Sequence, residues 1–172
     1  HMDFLNKLNL MHIDNVDILQ LRLTQNDSAN KLVSMEIRSR IQKKIRIMIN
    51  ASMGDFNSEY YDGLHLPFSE AKKLTTRPIQ RNHLLSVSCH NREEIEHANH
   101  IDADFIYLSP IKKSTSHSDS EPLGWTNGEK LNNLSRKPVY ALGGLSLIDL
   151  PDAIRRGFHG IAGITAFWDI NL

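Results

Sequence analysis

The sequence predicts an α/β fold built on a parallel sheet, and two observations support this. Seven short apolar runs alternate along the chain with segments whose apolar residues recur at helical spacing. Most of these runs end on a polar residue or a glycine. Such near-strict alternation of strands and helices is typical of parallel strands joined by right-handed crossovers. The 172 residues, 40% of them hydrophobic and 23% charged, fit one globular domain spanning residues 1–172.

The elements follow from local patterns along the chain. Alternating or continuous apolar runs predict strands at residues 16–23, 45–50, 61–67, 84–88, 104–109, 137–145 and 159–166. Helical spacing and capping residues predict helices at residues 3–13, after Ser28, and at 69–74, 92–99 and 147–156. The polar stretch from Pro110 to Trp125 predicts a long loop, a feature that is commonly functional in a compact domain.

The stretch from Lys137 to Leu145 carries the strongest functional signal. Its apolar run ends on Gly143 and Gly144, and a helix is predicted directly after Ser146. Paired glycines at the carboxyl end of a strand leave the backbone N–H groups accessible to an anion such as phosphate. A tight turn without a ligand would need the same two residues.

Two architectures satisfy this order of elements. An open sheet would spread the strand-end residues along a crevice, so that only a few of them could meet. A closed barrel would bring them all to one face, where such folds place their chemistry. The strand-end residues are Arg22, Asn50, His65, Ser88, Ser109, Gly144 and Thr165.

Composition limits the functional classes. The 20 basic and 20 acidic side chains give a formal net charge of zero, which disfavours partners such as nucleic acid or an anionic membrane. One cysteine, Cys89, excludes an internal disulfide framework and suits the reducing cytoplasm. No apolar run approaches the length of a membrane span. His1 and Met2 are interpreted as a cloning scar.

Seven segments, taken in order, carry a family resemblance: Leu19 to Arg22, Ile49-Asn50, Asp62 to Leu66, Val87 to His90, Ala103 to Pro110, Leu142 to Gly144 and Gly157 to Ala162. Together they resemble the thiamine phosphate synthase and thiazole tautomerase family. Ser88 to His90, Thr115 to His117, Pro122 to Trp125 and Tyr140 to Gly144 are most similar to the barrel domain fused behind a Nudix hydrolase in some bacterial proteins.

The resemblance implies a (β/α)8 barrel and a transferase. The reaction joins a hydroxymethylpyrimidine diphosphate to a thiazole phosphate, releases pyrophosphate and uses Mg²⁺. Expected catalytic residues are Arg22, Asn50, Ser88 and His117. Expected substrate-binding residues are Gln20, His65, His90, Ser114, Ser116, Gly143, Gly144, Ile164 and Thr165, and Glu70 is the weak candidate for a metal ligand.

The chain departs from the family pattern where charge matters most. Thr24 replaces a second basic residue, Ala51 replaces a metal-binding acid and His117 replaces the loop lysine. Each lost contact to the leaving diphosphate would raise the barrier by about 2–4 kcal/mol. The glycines of the phosphate site are retained, so binding is better supported than catalysis.

Three functions therefore remain open. The first is an impaired synthase, the second is a non-catalytic module that binds thiazole phosphate or thiamine phosphate beside a Nudix domain, and the third is thiazole tautomerisation by a histidine. His65 and His90 fit scaffold roles as well as acid-base roles.

The predicted helix at 3–13 precedes the strand that the family places second, so we expect the first strand to be missing. The resulting gap would be accommodated by opening of the barrel, by the refolded N-terminus or by a homodimer.

Overall fold

The computed structural model describes residues 16–22, 27–40, 45–53, 55–113, 121–164 and 167. Within them lie strands β1 (Ile18–Leu21), β2 (Arg46–Asn50), β3 (Gly63–Leu66), β4 (Leu84–Cys89), β5 (Phe105–Leu108), β6 (Val139–Leu142) and β7 (Gly160–Ala162). The helices are α1 (Asp27–Arg40), α2 (Phe68–Ala71), α3 (Arg92–His100), α4 (Gly124–Asn132) and α5 (Leu150–Arg155), with a 3-10 turn at Leu147–Asp149 before α5. In this part of the chain, no helix is both long and apolar enough to cross a membrane.

The seven strands are parallel and pair in sequence order from β1 to β7. Their inward side chains form a small cluster centred on Met48, Phe105 and Tyr107, which Ile18 of β1 and Ala162 of β7 also contact. Contacts between residues from opposite edges show that the sheet curls around this cluster. The predicted barrel-type alternation with seven strands is confirmed, and the predicted helix at residues 3–13 lies outside the described residues.

The main core lies between the outer face of the sheet and the helices. It contains the outward residues of every strand from β1 to β6, together with apolar residues of α1, α3 and α5. Parallel strands buried on both faces need apolar side chains at nearly every position. This explains why β5 is a continuous run of Phe-Ile-Tyr-Leu, and why three consecutive apolar residues, Ile47 to Ile49, form the centre of β2.

Aspartates organise the amino-terminal end of the sheet. Asp62 accepts the Ile47 N–H at 2.8 Å, and Asp104 accepts the Leu85 N–H at 2.7 Å, so each carboxylate binds the strand beside its own. Asp104 also pairs with Arg77 at 2.6 Å, and the Arg77 side chain is only 9% exposed. We call Asp62, Asp104 and Arg77 the amino-terminal polar cluster.

The buried face of helix α1 differs from the one that its apolar residues predict. The apolar spacing of its sequence predicts a buried stripe of Leu32, Val33, Met35, Glu36, Ile37 and Ile41. Val33 and Ile37 are buried, whereas Leu32 is 67% and Met35 55% exposed, and Ile41 lies outside the described residues. The buried face is instead Asn30, Val33, Ser34 and Ile37, which follows the helical spacing i, i+3, i+4 and i+7. Ser34 Oγ donates to Tyr60 O, so a polar residue replaces an apolar one on this face. Ser28 lies inside the helix rather than capping it.

Helix α3 begins as its sequence predicted, because the Asn91 side chain accepts the Glu94 N–H at 3.0 Å. Helix α4 was not predicted. It begins at Gly124, so the predicted loop to Trp125 ends slightly earlier. Gly128 is buried in α4, and a Cβ there would lie 2.8 Å from Ile111 Cδ1. Close packing against the loop after β5 therefore requires a residue that weakens the helical pattern.

Candidate functional site

The carboxyl ends of the strands carry most of the predicted site residues. Side chains alternate across a strand, so in β4 Ser86 and Ser88 face inward, while Val87 and Cys89 pack into the outer core. Burial and the nearby Glu94 raise the pKa of the Cys89 thiol. The raised pKa disfavours a thiolate nucleophile at Cys89, which packs in the outer core on the face away from Ser86 and Ser88.

His65 of β3 links to both inward serines of β4. Its Nδ1 lies 2.9 Å from Ser86 Oγ, and its Nε2 lies 3.0 Å from Ser88 Oγ. Burial, with a smaller contribution from the positive charge of Arg22, lowers the pKa of His65 to about 3. The imidazole is therefore neutral at physiological pH, with one nitrogen donating and the other accepting. We call Ser86, His65 and Ser88 the serine-histidine chain.

An aromatic wall continues from this chain. The His65 and Tyr107 rings have centroids 5.4 Å apart, and Tyr107 also contacts Phe105 and Tyr140. Burial raises the pKa of Tyr107, with Tyr140 contributing in the same direction. Such a surface suits a flat, uncharged ring better than a phosphate.

The first strands contribute Gln20, Arg22 and Asn50. Gln20 is half-buried within β1, and Arg22, directly after β1, is exposed. The positive charge of Arg22 contributes to the lowered pKa of His65. Asn50 is buried at the end of β2, and its Oδ1 accepts from Ser52 N at 3.0 Å and from Ser52 Oγ at 2.5 Å. Asn50 thus shapes the turn that follows β2.

The turn after β6 has the conformation that its glycines predicted. The φ angles are +99° at Gly143 and +63° at Gly144, values that side chains rarely adopt. The loop after β5 packs directly on this turn, since a Cβ on Gly144 would lie 2.3 Å from Lys113 O. The Lys112 N–H donates to Gly143 O at 2.9 Å. Neither the Gly143 nor the Gly144 N–H is bonded to a described residue, so both remain available as donors.

A second group of charges lies beside this turn. Lys112 Nζ is 2.6 Å from Asp149 Oδ1, and the Ser146 N–H donates to Asp149 Oδ2 at 2.9 Å. Partial burial alone would raise the pKa of Asp149, but the bonds from Lys112 and Ser146 hold that pKa below its ordinary value. Ile164, which follows the neighbouring strand β7, is 66% exposed.

His90 lies directly after β4 and differs from His65 in its exposure and in its hydrogen-bond partners. It is exposed, and its Nδ1 lies 2.8 Å from Ser109 O. A carbonyl oxygen only accepts, so Nδ1 donates, and Nε2 is the acceptor in the neutral ring. The His90 N–H donates to Glu94 Oε2 at 2.8 Å, which anchors the backbone beneath the ring.

Comparison with known proteins identifies the family. The sequence matches the family described as "Thiamine monophosphate synthase" over residues 1–167. The chain belongs to this family. The chain is 30% identical over 167 residues to "Putative thiamine-phosphate synthase 2" of Aquifex aeolicus (strain VF5), covering 96% of this chain and 90% of that protein. It is 34% identical over 110 residues to the thiamine-phosphate synthase of Lysinibacillus sphaericus (strain C3-41), covering 61% of this chain and 50% of that one.

Solved structures agree on the fold. Thiamine phosphate pyrophosphorylase from Pyrococcus furiosus superposes with a TM-score of 0.65, covering 93% of this chain and 78% of that one. At 15% identity this likeness concerns the architecture alone. The family resemblance drawn from the sequence and the barrel-type fold are therefore confirmed.

The Mg²⁺ that the synthase family implies does not fit the described residues. Both carboxylate oxygens of Glu70 accept from Lys73 Nζ, at 2.9 and 2.8 Å. Asn50 Oδ1 is occupied by Ser52, and Ala51 has no ligand atom in its side chain. Within the described ranges, no group of three His, Cys, Asp or Glu side chains is placed to hold a metal.

The site predicted for a synthase is therefore assembled in part. The structure brings His65 and Ser88 into contact, leaves Arg22 exposed directly after β1, and separately forms the Gly143 and Gly144 turn. Four predicted residues lie outside the described ones, namely Ser114, Ser116, His117 and Thr165. Ser86, Tyr107 and Lys113 were not predicted. The alternation that pointed to Ser88 also places Ser86 on the inward face, so its role was accessible from the sequence.

Proposed function

We propose that this chain joins a hydroxymethylpyrimidine diphosphate to a thiazole phosphate, at a rate below that of ordinary enzymes. The observation carrying this proposal is the turn at Gly143 and Gly144, whose two N–H groups donate to no described residue and lie at the end of the sheet that also carries Arg22 and Ser88. Membership of the thiamine monophosphate synthase family supports the reaction type.

The reaction breaks one bond and forms one. The carbon–oxygen bond between the pyrimidine methylene and the diphosphate breaks, and its electron pair leaves with the pyrophosphate. The resulting carbocation is captured by the lone pair of the thiazole nitrogen, which forms a carbon–nitrogen bond. The protein must therefore stabilise negative charge on the leaving group and keep water from the cation.

The residues divide these tasks. Arg22 is exposed and positively charged at the end of β1, where it contacts the diphosphate in our proposal. The aromatic wall and the neutral His65 provide an uncharged surface for the pyrimidine ring, and Ser88 and the half-buried Gln20 contact its polar edge. The free N–H groups of Gly143 and Gly144 hold the thiazole phosphate.

A low rate follows from the same residues. Positions 24, 51 and 117, where the family pattern has charge, carry threonine, alanine and histidine. If each loss costs about 2–4 kcal/mol of barrier, turnover falls by a thousandfold or more. The phosphate turn does not depend on those positions, so binding of thiazole phosphate should persist.

A coupled experiment tests the proposal. Purified protein is given both substrates with Mg²⁺, and thiamine phosphate and pyrophosphate are quantified, while calorimetry measures thiazole phosphate binding alone. Slow formation of both products in equal amounts supports the transferase. Binding without product formation supports instead the non-catalytic module, which would act beside a Nudix partner. Absence of both binding and products contradicts the proposal.

One observation favours thiazole tautomerisation as a second candidate. His90 presents Nε2 as an exposed acceptor while Ser109 O fixes Nδ1 as the donor, an arrangement that suits a general base. His65 is disfavoured in that role, because its pKa of about 3 and its two serine partners leave it neutral and fully engaged. Proton–deuterium exchange on a thiazole phosphate in heavy water, lost in His90→Gln and kept in His65→Gln, would support this activity.

A further inference from the structure

The loop after β5 places two consecutive lysines against the Gly143 and Gly144 turn. Lys113 O would lie 2.3 Å from a Cβ on Gly144, and Lys112 Cβ would lie 3.0 Å from the same point. The Lys112 N–H donates to Gly143 O at 2.9 Å, which fixes the distance between loop and turn. The backbone of position 113 therefore touches the turn that offers donors to a phosphate.

The two ammonium groups differ in their availability. Lys112 Nζ is 2.6 Å from Asp149 Oδ1, and the Asp149 side chain is only 12% exposed, so this cation is committed to the protein. Lys113 is exposed, and no described residue forms an ion pair with it. Its flexible four-carbon stem allows the ammonium group to reach a ligand on the adjacent turn.

The bound phosphate needs such a cation. Two backbone N–H groups supply donors but no net charge, whereas a phosphate monoester at neutral pH carries nearly two negative charges. Lys112, the other lysine beside the turn, already has its charge paired with Asp149. A charge-assisted hydrogen bond from a second lysine would supply the missing attraction.

We propose that Lys113 is the phosphate-binding cation of this site, acting together with the N–H groups of Gly143 and Gly144. The inference rests on the proposed function, because it assigns a charge to the same thiazole phosphate. The proposed cation lies four positions before His117, in the part of the loop that the structure describes. The sequence patterns did not point to this residue.

Calorimetry with inorganic phosphate and with thiazole phosphate tests this assignment. Lys113→Ala should weaken binding of both ligands by about fivefold to tenfold at low ionic strength, as expected for the loss of a charge-assisted bond at an exposed site. Lys113→Arg keeps the charge and should stay within about threefold of the wild type. The matched control is Lys130→Ala, which removes an equally exposed lysine from α4. The difference between Lys113→Ala and the wild type should shrink near 1 M salt, where screening acts over about 3 Å.

Three results would overturn the inference. These are Lys113→Ala binding within twofold of the wild type, equal weakening in Lys113→Ala and Lys130→Ala, and no detectable phosphate binding by the wild type. Turnover is not part of this test. A protein that binds phosphate through Lys113 yet makes no thiamine phosphate refutes the transferase and leaves the inference intact.

Discussion

His65 Nε2 lies 3.0 Å from Ser88 Oγ, while Nδ1 of the same ring lies 2.9 Å from Ser86 Oγ. A single imidazole thus joins two inward positions of the neighbouring strand. Burial lowers the pKa of His65 to about 3, so the ring is neutral, with one nitrogen donating to a serine and the other accepting from the second serine. The serine-histidine chain thus extends from Ser86, which is fully buried, to Ser88, which faces the open end of the sheet.

The free energy of unfolding should therefore decrease as the pH is lowered from 6.5, the ordinary pKa of histidine, towards about 3, the pKa of His65 in the folded chain. Between 6.5 and about 3, the unfolded chain binds a proton that the folded chain does not bind, so acidification favours unfolding. The His65 contribution is complete above pH 6.5 and is lost progressively as the pH falls towards 3. From pH 7 to pH 5 the loss amounts to about 2 kcal/mol.

Urea denaturation at pH 7 and pH 5 checks this expectation. His65→Gln should be less stable at pH 7, but it should lose about 2 kcal/mol less than the wild type on acidification. His159→Gln, which removes an exposed histidine, should keep the wild-type pH dependence. Equal pH slopes in the wild type and in His65→Gln would contradict the neutral, buried assignment.

The two serines should separate stability from ligand recognition. Ser86 is fully buried, so Ser86→Ala strands a ring nitrogen of His65 and should cost about 1–3 kcal/mol of unfolding free energy. Ser88 is half-exposed at the open end, so Ser88→Ala should cost less stability and weaken pyrimidine diphosphate binding about tenfold. Chemical denaturation and calorimetry distinguish the two effects. Loss of binding in Ser86→Ala alone would reverse our assignment.

Gly144 should tolerate no side chain. In Gly144→Ala the Cβ meets Lys113 O at 2.3 Å and φ stays near +63°, so we expect a loss of about 2–3 kcal/mol and no detectable phosphate binding. Gly157→Ala is the matched control. Its φ is +80°, and its nearest contact is Asn132 Nδ2 at 3.3 Å, away from the turn. That variant should lose stability but keep phosphate binding, and phosphate binding at wild-type affinity in Gly144→Ala would show that the site lies elsewhere.

Restored charge should raise transferase turnover. Thr24→Lys with His117→Lys supplies two cations for the leaving diphosphate, so product formation should increase at least tenfold. Adding Ala51→Asp should increase the dependence on Mg²⁺, although Ala51 packs against the core and the triple variant should be less stable. Initial rates with both substrates provide the measurement. A wild-type rate within about 1–10³ s⁻¹ would show that the missing charges matter little.

Sequence patterns predicted the sheet well because all seven strands are apolar runs with defined ends. They failed where tertiary contacts, rather than the spacing of apolar residues, determine a helix or its buried face. Helix α4 contains Gly128, which close contact with Ile111 requires, and α1 buries Asn30 and Ser34 because nearby backbone carbonyls accept their hydrogen bonds. At the site, glycine conformation was predictable from the local sequence. The hydrogen bonds from His65 to Ser86 and Ser88 could not be predicted, because they depend on the register of β3 against β4.

The amino-terminal polar cluster has a consequence for laboratory evolution. Asp62, Asp104 and Arg77 secure the strands at the end opposite Ser88 and Gly144, so the groups that hold the scaffold are remote from the groups proposed to bind ligands. Arg77→Met would break buried bonds to Asp104 and to the Asp102 and His83 carbonyls. Libraries that randomise the loops after β5, β6 and β7 can therefore sample new ligand specificities while these anchors stay fixed, which makes the chain a suitable starting point for engineered phosphate-ester binders.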